Sequence, residues 1–370
     1  LSTRYAVTAL APHHGGAATR EQLDGVEVHR FKYFLPPSAQ RLADGAGIMP
    51  HLRRSWFARV QAPPYLAAFR VAARRLISGG CFDAVNSHWL LPAAWAAARP
   101  AARARVPHLV SVHAADVFLL KRLPGGRRLA AGILRAARAV FGDSRFILDQ
   151  TSELVGFDVR GVPTTPGVDA AAFAPRMSPS EAKTQLGWPP APTLLFVGRM
   201  VEKKGLPYLI DAFALIRRDA PEIRLVLVGD GPDRAAVERL IHQRGLADGV
   251  TFAGPRGHAE LPLYYRAAEA LVVPSIIDSA GETEGMPTVI LEAFAAACPV
   301  VGSRVAGIPE FVQDGVTGLL ARPADAEDLA DKIRRVLAAG KDHFAKSCLA
   351  TATACSFETL ASRYAEAIES

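Results

Sequence analysis

Short apolar runs alternate with longer amphipathic stretches along almost the whole chain. Tyr5–Ala11, Val26–Phe31, Ala84–Ser87, His108–His113, Ala139–Gly142, Thr193–Gly198, Arg224–Gly229, Val250–Phe252, Ala270–Pro274 and Pro299–Ser303 read as strands. Leu206–Asp219, Ala235–Arg244 and Val289–Ala296 read as amphipathic helices between them. A strand that is apolar on both faces needs cover on both, and the helices that return the chain provide it. The expected class is α/β with doubly wound parallel sheets. At 370 residues the chain exceeds one ordinary core. A Pro-rich break, Trp188-Pro189-Pro190-Ala191-Pro192, precedes a fresh strand and marks a boundary. Two domains are expected, over residues 1–170 and 190–350. A last amphipathic helix over 356–370 presents Phe357, Leu360, Tyr364 and Ile368 on one face.

The beginning departs from the pattern. Tyr5–Ala11 is a good strand, but no helix follows it, and Asp24-Gly25 turns the chain into another strand. A doubly wound sheet normally feeds its first strand into a Gly-rich loop and a helix. Tyr5–Ala11 is therefore expected to be the second strand of its sheet, with one βα unit, roughly 30 residues, missing upstream. The competing reading makes it the first strand and His13-His14-Gly15-Gly16 its phosphate loop. It is disfavoured because Ala17–Asp24 is too short and polar for the helix.

Charge is uneven. Residues 1–169 hold 22 Lys and Arg against 11 Asp and Glu, a balance of +11; residues 170–370 hold 21 against 25, a balance of −4. Arg53, Arg54, Arg59, Arg70, Arg74 and Arg75 cluster in one short stretch. A solvated basic face and a surface for anionic membrane or a phosphate-bearing lipid acceptor both fit this. Nucleic acid is disfavoured because no recognised binding motif accompanies the charge. No run of 18 apolar residues is present, so no membrane-spanning helix is expected. Cys81, Cys298, Cys348 and Cys355 show no metal spacing and read as reduced thiols of a cytoplasmic protein.

The strongest chemical constellation is Glu284-Gly285-Met286-Pro287-Thr288-Val289-Ile290-Leu291-Glu292. The loop delivers the chain into a helix whose first free N–H groups attract anions. A diphosphate fits on the Thr288 and Val289 N–H groups. Glu292 suits ribose hydroxyls, and Glu284 suits hydroxyls of a transferred sugar. Gly198-Arg199 directly follows a strand, with Lys204-Gly205 soon after. Two cations at a strand's carboxyl end can neutralise a leaving diphosphate. The plain alternatives are surface carboxylates and solvated loop cations.

These residues, followed by Val228-Gly229-Asp230-Gly231-Pro232, Pro274-Ser275, Pro299-Val300-Val301, Gly307-Ile308-Pro309-Glu310 and Asp314-Gly315…Gly318-Leu319, resemble in order the C-terminal half of family 4 glycosyltransferases. Asp83-Ala84-Val85-Asn86-Ser87-His88, Val112-His113-Ala114-Ala115-Asp116 and Pro166-Gly167-Val168-Asp169 with Phe173 extend the resemblance more loosely to the front. It implies the GT-B fold: two Rossmann-like domains with the active site between them, the first for the acceptor and the second for the nucleotide sugar. It implies that the last helix crosses back to the first domain, where the plain alternative is a cap on the second. It implies retention of anomeric configuration and no metal or other cofactor, the nucleotide-diphosphate sugar being a co-substrate. Residue by residue, it implies that Gly198, Arg199 and Lys204 bind the donor diphosphate, and that Thr288 and Val289 bond phosphate through their N–H groups. Glu292 then holds the ribose and Glu284 the donor sugar. His113 contacts the sugar near the reacting bond, Asp116 shapes that loop, and His88 is open between a structural and a functional part.

The stretch Asp278-Ser279-Ala280-Gly281-Glu282-Thr283-Glu284-Gly285 resembles members that build exopolysaccharide or lipid-linked glycans. Base recognition is expected near Gly254-Pro255-Arg256. Three departures stand out. The family's Gly-Gly loop is not found, its His-Gly-x-Asp reads His113-Ala114-Ala115-Asp116, and Ala297-Cys298 replaces the usual Gly before Pro299. A donor-binding module without turnover is therefore carried as an alternative. A nicotinamide-dependent oxidoreductase is carried as a second one, although no Gly-x-Gly-x-x-Gly follows a strand.

Overall fold

A computed structural model of the chain describes residues 2–43, 48, 51–52 and 55–369. Its contacts divide into two compact units. The first takes Leu1–Gly142, Leu148–Val162 and Arg363–Ser370; the second takes Asp143–Ile147 and Pro163–Ser362. The Pro-rich stretch lies inside the second unit, where Lys183 Nζ donates to the Ala191 carbonyl (2.7 Å) and pairs with Glu269 (2.8 Å). The last helix, Phe357–Glu369, starts in the second unit and ends in the first.

The first unit holds two separate sheets. In one, β1 (Val7–Pro12) pairs parallel with β3 (Val26–Phe31), and β2 (Arg20–Leu23) pairs antiparallel with β3. The β2–β3 connection is a two-residue hairpin loop. Asp24 (φ 48°) and Gly25 (φ 78°) both take the left-handed conformation such loops require. The α/β class with parallel sheets holds here, with β2 as an added antiparallel edge strand. Arg20-Glu21-Gln22-Leu23 gave no strand signal because it has no apolar face, and three of its four residues are exposed. The other sheet has the order β4 (Val85–His88), β5 (His108–Val112), β6 (Ala139–Gly142), β7 (Val162–Pro163), with β4, β5 and β6 parallel. All of β5 is buried, as a central parallel strand requires.

The helix Trp56–Gly79 starts at Ser55, whose Oγ accepts the Ala58 N–H (3.3 Å). It lays Tyr65 and Phe69 against Phe31, with the Phe31 and Phe69 rings stacked at 4.8 Å. Within the clustered arginines, Arg53 and Arg54 lie outside the described residues. Arg59 Nε bonds the Leu52 carbonyl, Arg70 lies over the Trp95 ring, and Arg74 and Arg75 are exposed.

The second unit carries one six-stranded sheet, ordered β10 (Val250–Gly254), β9 (Arg224–Val228), β8 (Thr193–Val197), β11 (Ala270–Val273), β12 (Val300–Ser303), β13 (Gly318–Ala321). Every adjacent pair is parallel. The chain starts in the middle at β8, runs outward to β10, then returns to the other side of β8 with β11. Connections from β8 and β11 therefore leave in opposite directions, which opens a crevice at their carboxyl ends. Leu194, Phe196, Phe213 and Phe294 are fully buried around this sheet and hold it rigid. Among the described residues no helix is long and apolar enough to cross a membrane.

Candidate functional site

Two loops, one leaving β8 and one leaving β11, build the crevice of the second unit. After β8 come Gly198, Arg199 and a single tight turn, Glu202–Lys204, closed by Gly205. Gly205 has φ 66°, and a Cβ there would overlap the Pro274 carbonyl oxygen at the end of β11. Only glycine lets the two strand ends approach this closely. After β11 the loop folds on itself: Asp278 Oδ1 accepts the Ala280 and Glu282 N–H groups (3.0 and 2.7 Å), and Thr283 Oγ1 donates to the Ile276 carbonyl.

Three successive side chains of the turn then clamp that loop. Glu202 accepts the Ser279 N–H and hydroxyl, both at 2.8 Å. Lys203 Nζ donates to the Thr283 carbonyl (3.3 Å) and stands 3.5 Å from Glu284 Oε1. Lys204 Nζ donates to Glu284 Oε2 at 3.1 Å. Burial pushes the Glu284 carboxyl up, but Lys204 and then Lys203 outweigh it and hold it below the usual carboxylate range. Glu284 Oε1 is buried with only the Lys203 ammonium near it, at 3.5 Å, and the Ser275 hydroxyl is buried without a hydrogen-bond partner. Buried polar atoms so poorly satisfied call for a reason, and a ligand hydroxyl is one.

The helix Thr288–Ala295 starts four residues beyond Glu284, with Thr288 exposed at its first position. Glu292 lies one turn further on, where the Tyr265 hydroxyl donates to its Oε2 at 2.7 Å. Burial raises the Glu292 carboxyl, against lowering by Tyr265, His258 and Thr288. Arg199 is exposed and makes no ion pair among the described residues. Glu202, Lys203 and Tyr265 were not singled out from the sequence. The charged triplet soon after a strand end was a usable signal for the first two. Nothing local marks Tyr265, which meets Glu292 only through packing.

A second cluster belongs to the first unit, at the carboxyl ends of β4 and β5. His88 Nδ1 and His113 Nε2 share a hydrogen bond at 3.2 Å, with the rings stacked at 5.4 Å. Asn86 bonds the far side of His88, and Ser111 bridges Asn86 to the Tyr364 hydroxyl. Trp89, next along the chain from His88, has φ 78°, a strained conformation for a bulky residue. Its N–H bonds the Ser111 carbonyl, and the next N–H, of Leu90, bonds Asp116 Oδ2. Asp116 is fully buried, and its Oδ1 accepts the His113 N–H at 2.8 Å. Its oxygens thus hold the backbone on either side of the histidine pair. No cluster of three or more His, Cys, Asp or Glu placed to hold a metal occurs among the described residues.

Burial, outweighing these backbone bonds, pushes Asp116 up to about 6. The folded protein then holds this proton more tightly than the unfolded chain. The contribution is full below about pH 4 and is lost as pH rises through about 6. Asp116→Asn is expected to flatten that decline by on the order of 2 kcal/mol, read from urea unfolding between about pH 4 and pH 7.

Comparison with known proteins respects the same division. Residues 191–339 match the family described as glycosyl transferases group 1, and residues 2–167 match the glycosyl transferase 4-like domain. A D-inositol 3-phosphate glycosyltransferase of Actinosynnema mirum is 32% identical, over 86% of this chain and 81% of its own length. The chain belongs to the family 4 glycosyltransferases. A GDP-mannose-dependent alpha-(1-6)-phosphatidylinositol monomannoside mannosyltransferase of Mycobacterium tuberculosis is 35% identical over 46% of this chain. That alignment, and another of similar strength, span less than half of the relative's own length, 45% and 39%. Among solved structures, the Anabaena protein HepE in complex with UDP superposes with a TM-score of 0.75 at 19% identity, over 99% of this chain and all of HepE. This glycosyltransferase therefore has the GT-B fold, with a parallel-sheet α/β unit for each half.

Proposed function

We propose that this glycosyltransferase moves a hexose, with retention, from a nucleoside-diphosphate donor to a glycan or lipid-linked acceptor. The carrying observation is Glu284: a buried carboxylate kept charged by two lysines at a sheet's switch point, with one oxygen held only by the longer Lys203 contact. In this reading that oxygen takes a hydroxyl of the donor sugar. Gly198, Arg199, Lys204 and the N–H groups of Thr288 and Val289 take the diphosphate, and Glu292 takes the ribose. The sugar–phosphate bond breaks, the acceptor oxygen bonds the anomeric carbon on the same face, and the acceptor's proton passes to the departing phosphate. The cations and the helix start stabilise the charge that builds on the diphosphate. The reading requires no metal or other cofactor. The first unit supplies the acceptor side, with His113 near the reacting bond and Asp116 and His88 as its positioning residues.

The relatives' names support a phosphate-bearing acceptor: a phosphatidylinositol mannoside, which is lipid-linked, in one, and an inositol phosphate in the other. On the first unit a cavity of about 740 Å³ between the three-stranded sheet and the helix Trp56–Gly79 is rimmed by Arg20, Lys32 and Arg75 over Leu10, Phe31 and Leu76. Cations above apolar side chains suit a phosphate on a lipid, and peripheral contact with an anionic membrane at its cytoplasmic face is the corollary. The nicotinamide reading is set aside by family membership. A module that binds donor without turnover is an outcome of the test.

The test screens UDP-, GDP- and ADP-sugars by thermal shift, then follows hydrolysis and transfer of the donor that raises Tm most. Arg199→Ala is expected to reduce turnover by about 100-fold. Undiminished turnover there would remove the diphosphate role, and binding without any wild-type turnover would favour the inactive module. Sedimentation with anionic against neutral phospholipid vesicles checks the membrane contact.

A further inference from the structure

Glu292 owes its place to a side chain far away in sequence. Tyr265 is completely buried, and its hydroxyl donates to Glu292 Oε2 at 2.7 Å. The phenol has no slack. Its helix, Leu261–Ala267, ends where the ammonium of Lys341 donates to three carbonyls, of Tyr265 (3.0 Å), Arg266 (2.8 Å) and Ala268 (2.9 Å). Those bonds use all three donors of that lysine. Phe173 packs on the ring, with centroids 5.9 Å apart. The phenolic oxygen is thus a fixed point of the core.

We propose that the Tyr265 hydroxyl aims the Glu292 carboxylate at the vicinal hydroxyls of a ribose, and so makes the site select ribonucleoside over 2′-deoxyribonucleoside diphosphates. This rests on Glu292 being the ribose-holding residue. A carboxylate has about four lone-pair positions. Tyr265 occupies one of them, on Oε2, from within the protein. The other oxygen is left to accept from the two neighbouring hydroxyls of a ribose. A 2′-deoxyribose leaves one position of a buried charged acceptor unfilled, and such a loss is heavily penalised. Burial and the adjacent carboxylate also push the phenol well above its ordinary range, so it remains a donor throughout neutral pH. Tyr265 is a positioning residue: it touches the acid, not the ligand.

The experiment titrates UDP and dUDP, and GDP and dGDP, separately into the wild-type chain, Tyr265→Phe, Tyr265→Met and Glu292→Ala by calorimetry. The wild type is expected to prefer the ribonucleotide by about 10- to 100-fold. Tyr265→Phe is expected to lose about 10-fold in ribonucleotide affinity, to keep its deoxynucleotide affinity, and so to shrink the preference. The ratio is internal to each variant, so a merely less stable protein does not change it. An unchanged ratio in Tyr265→Phe overturns the proposal. Should that variant not fold, Tyr265→Met, a flexible side chain that fills the same space without a hydroxyl, is read in the same way. If Glu292→Ala binds both nucleotide classes like the wild type, Glu292 is not at the ribose; the assignment beneath the proposal then falls, a result distinct from failure of the tyrosine alone.

Discussion

Lys204→Ala is expected to reduce sugar transfer by about 100- to 1000-fold, mostly in kcat. Its ammonium has two tasks. In the proposed reading it meets the charge that develops on the departing diphosphate, which matters most in the transition state. It also holds Glu284, whose burial is otherwise unfavourable to a charged carboxyl. Without Lys204, only Lys203 at 3.5 Å opposes that burial, so the Glu284 carboxyl rises. A group held low contributes at pH above its ordinary value and loses that contribution as pH falls. The acid limb of the rate profile should therefore move to higher pH in Lys204→Ala. Glu284→Ala is expected to lose a similar factor, and the double variant to lose little more than either alone, because the pair acts as a unit. Rates of both single variants and the double variant, measured across pH with saturating donor, check this. Additive losses would mean that the two residues work separately.

Gly205→Val is expected to be the most destabilising single change near the site, by about 3 kcal/mol or more. At φ 66° a β-branched residue is strained by roughly 1–2 kcal/mol before any contact is considered. Its Cβ would also overlap the Pro274 carbonyl oxygen, forcing the ends of β8 and β11 apart. The interior is close-packed and cannot absorb such a shift locally. Urea unfolding measures the loss. Turnover should fall further than stability accounts for, since the displaced turn carries Glu202, Lys203 and Lys204. An unfolding free energy within about 0.5 kcal/mol of wild type would contradict the close approach.

Much of the second unit was legible along the chain. β8, β9, β11 and β12 are near-continuous apolar runs bounded by Gly and Pro, and their ends fell within a residue of the expected ones. β13 was not expected, because Leu319-Leu320 is too short a run to stand out. In the first unit the exposed β2 was invisible, since it pairs by backbone and turn geometry alone. The charged candidates were legible too. Arg199 and Lys204 follow a strand end, and Glu284 and Glu292 flank a helix start. The pairing of Lys203 and Lys204 with one carboxylate, 80 residues on, was not.

Local patterning along the chain was enough to specify the α/β class and the charged residues proposed to hold a diphosphate and its sugar, and the family resemblance implied the two Rossmann-like halves. Hydrophobic period and strand-end motifs are properties of short segments, so they can be read one segment at a time. Three-dimensional packing was needed to bring β11 back beside β8, to bury Glu284 between two lysines, and to join Tyr265 to Glu292 by a hydrogen bond. Such long-range pairing depends on which apolar surfaces bury each other, and that choice leaves no mark within any one segment.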